Sequence, residues 1–238
     1  MKTKVTFLLL TFAFVCCAFA SAQKMKMKIK GTRPTITDFV NFEFQDAEDE
    51  FYGLISDAWE KFKRKQPLSK EETIVLDSKN GYMRYERNDE RHTTVEMCYW
   101  NCADKKHKLL AVNAYSFEDG RVCLGQFDGI SFRLYDNARR TQEPIAAEDV
   151  GLDLYKGMDE GQEIGYDADK KMFYIKKEDG AVSYMTQEEM NYWEANVRPL
   201  NIYHLPRKGT DFVTSTYRGT SHTDVTWQWD GTSFSMKK

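Results

Sequence analysis

The chain has 238 residues, of which 41% are hydrophobic and 30% charged, with a formal net charge of -3. That balance excludes intrinsically disordered, collagen-like and mucin-like chains, and a mean hydropathy of -0.64 excludes a membrane bundle. An acid-leaning protein also has no electrostatic reason to hold nucleic acid.

Residues 1–22 read as a secretory leader. Lys2 and Lys4 form its positive end, and the apolar stretch from Val5 to Val15 is too short to cross a bilayer comfortably. Ala20-Ser21-Ala22 supplies a small-x-small cleavage site. The expectation is a secreted or periplasmic protein starting at Gln23, at net charge -5 once Lys2 and Lys4 are gone, with no transmembrane segment in the mature chain. Val15 and Cys16 stand before Cys16 and Cys17, where a lipid-transfer site needs a small residue, which argues against a lipid anchor. Residues 23–34 are expected to form a flexible segment. The alternation of Lys24, Lys26, Lys28 and Lys30 with Met25, Met27 and Ile29 leaves an edge strand as the alternative.

Phe51, Leu54, Ile55, Ala58, Trp59 and Phe62 form the stripe of an amphipathic helix. Acids from Asp46 to Glu50 precede it, and Lys61, Lys63, Arg64 and Lys65 crowd its end, both favourable to the helix dipole. Strands are predicted over 81–86, 95–100 and 109–117, the last turning at Glu118-Asp119-Gly120 into a strand from Val122. Further strands are predicted over 172–176, 181–185, 210–217 and from Asp224 onward. A weak helix is expected over 146–154. A better one over 186–196 opens with the Thr186-x-x-Glu189 capping pattern.

Three cysteines remain after the leader: Cys98, Cys102 and Cys123. Cys98 and Cys102 would lie about 13 Å apart on a regular strand, so a disulfide needs a bend there; buried thiols are the other reading. A zinc site lacks a second close ligand pair, since only His92 and His107 lie nearby. Asp167-x-Asp169 resembles the opening of a calcium loop, but Lys171 and Met172 stand where an oxygen ligand and a turn glycine belong. Nucleophile elbows, phosphate loops and dinucleotide fingerprints are absent, so no catalytic residue, metal or cofactor is assigned.

Gln126-Phe127-Asp128-Gly129-Ile130-Ser131-Phe132 matches Gln228-Trp229-Asp230-Gly231-Thr232-Ser233-Phe234 at five of seven positions. The offset predicts a tandem repeat with modules at 35–136 and 137–238. Each would be an antiparallel meander of about four strands with a packing helix, an α+β fold. Asp128-Gly129 and Asp230-Gly231 are then expected to be equivalent type I′ hairpin turns. Trp227 and Trp229 are expected in a sheet–helix core. Tyr99, Trp100, Trp193, Tyr203, Gln126 and Gln228 are the candidate ligand-binding residues, because aromatic rings grip protein partners or stack on sugars.

The Ala-Ser-Ala leader end, the tandem units and the terminal Trp-Asp-Gly-Thr-Ser-Phe strand resemble secreted bacterial proteins built of tandem α+β units. In element order and count alone the chain is similar to β-lactamase-inhibitor-protein-like and PepSY-like architectures, a resemblance that implies no binding residues. The functional expectation is an exported non-enzymatic binding protein, its protein or peptide ligand held on an exposed sheet face or in an inter-module cleft. A glycan-binding module using exposed Trp and Tyr, and a small secreted hydrolase with dispersed acids, are the alternatives.

Overall fold

The computed structural model describes residues 24–29, 31, 33–45, 50–123, 129–152, 163–177, 179–196 and 199–237. The leader and Gln126 lie outside these residues. Strand β1 (Met25–Lys26) is followed by helices α1 (Ile36–Glu43) and α2 (Glu50–Lys63). Then come β2 (Glu72–Asp77), β3 (Tyr82–Asn88), β4 (His92–Asn101), β5 (His107–Glu118), β6 (Arg121–Cys123), β7 (Gly129–Asp136) and β8 (Thr141–Ile145). A 3-10 turn at Glu148–Val150 stands where the weak helix was expected. The chain continues through β9 (Glu163–Asp167), β10 (Met172–Lys176), β11 (Val182–Met185) and α3 (Gln187–Asn196). It ends with β12 (Leu200–His204), β13 (Asp211–Arg218), β14 (Ser221–Trp229) and β15 (Phe234–Met236).

The fold is α+β with antiparallel sheets. Among the described residues, the largest runs β1-β8-β7-β5-β4-β3-β2, with β6 beside the end of β5. A smaller sheet runs β11-β10-β9, and a C-terminal one β12-β13-β14-β15. No described helix is long and apolar enough to cross a membrane.

Strand alternation splits the large sheet into two unlike faces. Val95, Met97, Leu110, Val112 and Tyr85 face one way and pack with Phe39 and Val40 of α1 and Ile55, Ala58 and Trp59 of α2. Cys98, Trp100, Leu109, Ala111 and Phe132 face the other way, against Phe212, Trp227, Trp229 and Phe234 of the C-terminal sheet. The order is helices, large sheet, C-terminal sheet. Trp227 and Trp229 are buried as expected, but their core lies between two sheets and not between a sheet and a helix.

The tandem repeat is not confirmed, and strand direction explains why. Trp229 pairs with Phe234, so the chain reverses at Asp230-Gly231 between β14 and β15. Both β6 and β7 are antiparallel to β5, Ser116 facing Cys123 and Ala114 facing Gly129. They therefore run in the same direction; Asp128, of the expected Asp128-Gly129 turn, lies outside the described residues. The reversal comes earlier, at Asp119-Gly120, where both residues have positive φ (50° and 74°) as a type I′ hairpin requires. Nor is Asp230-Gly231 a two-residue turn: four residues connect the strands, and Asp230 Oδ1 accepts from the backbone N–H groups of Thr232 and Ser233.

The proposed boundary at 136/137 falls in the β7–β8 hairpin, where Asp136 pairs with Thr141. The basic N-terminal segment is tied to the same sheet. Met25 pairs with Gln142, Met27 N–H donates to Arg140 O at 2.9 Å, and Met27 is buried, so the edge-strand alternative describes this stretch better than a tether.

Candidate functional site

The sheet β9–β10–β11 carries large apolar side chains on both faces, and among the described residues it pairs with no other sheet. β10 reads Met172-Phe173-Tyr174-Ile175-Lys176, with large apolar residues pointing both ways. Ile175, on the side of Phe173 and Met185, is buried, as is Met190 of α3, a helix that contacts β10 and β11. On the opposite side, Tyr174 pairs with Gly165 and with Tyr184. A Cβ on Gly165 would stand 2.5 Å from the Tyr174 ring, so this glycine lets the ring lie flat across β9.

Tyr184 is held rather than loose. Its hydroxyl donates to Asp167 Oδ2 at 3.1 Å, and Lys170 Nζ sits 3.6 Å from its ring centroid. Asp167 Oδ1 accepts from the N–H groups of Asp169 and Lys170, which fixes the β9–β10 turn. The pair of acids that resembles a calcium loop is thus a turn cap. Those backbone donors, with Tyr184 and Lys170, hold the Asp167 carboxyl below the usual carboxylate range. Tyr174 and Tyr184 lie 6.4 Å apart and tilted at 60°. Val182 and Tyr184 are exposed on this side, while Tyr166 and Tyr192, 54% and 66% exposed, add rings around the same unit.

The sequence-predicted residues do not gather here. Trp100 and Tyr203 are buried in the inter-sheet core, where Trp100 Nε1 donates to Thr210 O at 3.2 Å and its ring lies 6.4 Å from Trp229. Their surface role fails because the second sheet covers that face. Tyr99 points to the helix side, 5.6 Å from the Phe39 ring. Trp193 is half-buried on α3, and Gln228 is exposed on β14, opposite Asp211 and Ser235. Cys98 and Cys102 are not bridged, and burial pushes both thiols up.

A second grouping joins the large and C-terminal sheets. Arg84, Glu96 and Asn113 lie side by side across β3, β4 and β5. Glu96 Oε1 accepts from the Tyr82 hydroxyl at 2.6 Å, and Oε2 accepts from Leu205 N–H at 3.1 Å. Asn113 Nδ2 donates to Tyr203 O. Burial raises the Glu96 carboxyl, pushes the Tyr115 hydroxyl up to about 12 and lowers His204, whose ring meets Tyr115 at 5.5 Å. Both Glu96 oxygens serve β12 and β3, so the grouping satisfies an edge strand instead of presenting an idle base.

The tyrosine face was hidden in sequence because β10, with large apolar residues pointing both ways, looks like a doubly buried strand. Comparison with known proteins gives no matching family model, no matching curated relative and no matching solved structure.

Proposed function

We propose that the chain is an exported, non-enzymatic binding protein that takes a protein or peptide ligand on the Tyr174–Tyr184 face of β9–β11. The observation that carries this reading is the company these rings keep. Of the seven large apolar side chains exposed among the described residues, four belong to this one unit: Val182 and Tyr184 on the Tyr174 side, Tyr166 on the opposite side with Phe173, and Tyr192 on α3. Exposed apolar surface concentrated in one place marks an interaction site, and tyrosine is enriched in such sites because it adds contact area with little loss of rotamer freedom. Pinning of Tyr184 by Asp167 and Lys170 lowers that loss further. Among the described residues β9 and β11 each pair on one side only, which offers backbone donors and acceptors to an extended peptide. Export rests on the leader at residues 1–22.

Peptide is favoured over glycan by ring geometry. Tyr174 and Tyr184 are tilted at 60°, and Lys170 occupies one face of Tyr184, which leaves no flat paired platform for a sugar. The test is selection from a displayed random-peptide library, with a glycan array in parallel. Peptides enriched on the mature chain should lose at least tenfold in affinity against Tyr174→Ser/Tyr184→Ser. Selection of glycans alone, or of peptides indifferent to this double variant, overturns the reading.

A further inference from the structure

A buried lysine on the helix side of the large sheet has no acid to answer it among the described residues. Lys108 occurs within the otherwise apolar run of β5 and is 6% exposed. Its Nζ donates to Asn101 Oδ1 at 2.7 Å and lies 3.8 Å from the Tyr99 ring centroid, and no carboxylate among the described residues pairs with it. Burial, with the charge of Arg33 on the approach to α1 adding to it, holds Lys108 down at about 8; Arg33 is exposed and has no ion pair among the described residues. A buried cation that also feels a second one is a costly arrangement unless an anion joins them.

The nearby acids are committed elsewhere. Asp38, in the first turn of α1, accepts from Thr35 N–H and from the Thr35 hydroxyl in the helix cap. Asp104 pairs with His107 Nδ1 at 2.5 Å and accepts from two backbone N–H groups. The Cys102 thiol, pushed up by burial, stays neutral beside Lys108. The same cross-strand row continues from Asn101 and Lys108 to Tyr135 and Gln142. The Tyr135 hydroxyl and both amide atoms of Gln142 are buried without a hydrogen-bond partner. The polar demand of this row is unmet by the chain itself.

The geometry points to a small-oxyanion site at this corner, in which Lys108, Arg33 and Asn101 receive a phosphate or carboxylate group. Lys108 supplies the buried charge and Arg33 the exposed, bidentate one. Asn101 is exposed, which leaves the Lys108 ammonium a route to solvent. The site is on β4 and β5 and does not depend on the tyrosine face.

Calorimetric titration of the mature chain with inorganic phosphate and with acetate at pH 6.5 tests it. Saturable binding is expected for at least one of them, weakened at least tenfold by Arg33→Gln and abolished by Lys108→Met. It should also weaken at least tenfold at pH 9.5, where Lys108 is neutral. Lys106→Met removes an equal charge from an exposed neighbour and should leave binding intact. Arg33 is exposed, so its variant reports even if Lys108→Met fails to fold. Absence of saturable binding, or equal losses from Lys106→Met and Arg33→Gln, overturns the site. Phosphatidylglycerol vesicles form a second arm: binding to them without binding of free phosphate or acetate also overturns it, by moving the charge effect to a membrane surface.

Discussion

Glu96 accepts a hydrogen bond from the backbone N–H of Leu205 at 3.1 Å, joining the fourth strand of the chain to the residue just past its twelfth. β12 is an edge strand, and its outward backbone groups at Tyr203 and Leu205 find their partners on Asn113 and Glu96. A side-chain amide and a carboxylate thus do what a neighbouring strand does elsewhere in a sheet.

Glu96→Ala should therefore cost about 3 kcal/mol, because it strands the Leu205 N–H and the Tyr82 hydroxyl in a buried layer. Glu96→Gln should cost little at neutral pH, since its amide can donate to the buried, otherwise unpartnered Asn113 Oδ1. The pH dependence has a definite sign. Burial raises the Glu96 carboxyl above 4.5, so the folded state holds a proton that the unfolded chain has already released. That contribution is fully present below 4.5 and is lost as pH rises through the raised value. Urea unfolding from pH 4 to 8 should show wild-type stability falling relative to Glu96→Gln across this window; parallel curves would sink the assignment.

Trp229→Ala should cost about 3–5 kcal/mol. The ring is 6% exposed, lies 4.8 Å from Phe234, and donates from Nε1 to Asn101 O at 3.3 Å. A wild-type melting curve for this variant would place the ring at the surface.

Gly231→Ala should cost about 1 kcal/mol or more. Its φ is 101°, and a Cβ there would stand 3.0 Å from that of Ala103, whose N–H donates to Gly231 O at 2.8 Å. Amide exchange at Ala103 should quicken in the variant. An unchanged rate together with unchanged stability would refute the contact.

Cys98 and Cys102 should both label with a thiol reagent in denatured protein that has never met reductant. In the native state Cys98 should label far more slowly, being buried with its thiol pushed well up. A denatured chain two mass units lighter that resists labelling at both positions would restore the disulfide.

What the sequence disclosed follows the range over which each signal acts. α2 is fourteen residues with a continuous apolar stripe, and local periodicity suffices to find it. α1 has only eight residues and was missed, although its Thr35–Asp38 capping box was there to be read. β8 was missed because Pro144 breaks a strand pattern; it lies beyond Thr141 and Gln142, the residues that pair with β1 among those described. Asp128-Gly129 misled because turn chemistry specifies backbone angles and not what the next strand pairs with. The candidate site was the least legible part: Tyr174 and Tyr184 look like core residues until one knows that the second sheet packs elsewhere.

The pairing of β1 with β8 also sets an order of events. A chain that emerges from its amino end presents Met25 long before Gln142 exists, so the outermost strand of the large sheet must wait for its partner. During that wait it is a bare alternation of methionine and lysine. The methionines suit the slot beside β8, and the lysines repel other copies of the same stretch, so the charge that looks like decoration on the finished edge acts first as a guard on the unfinished one.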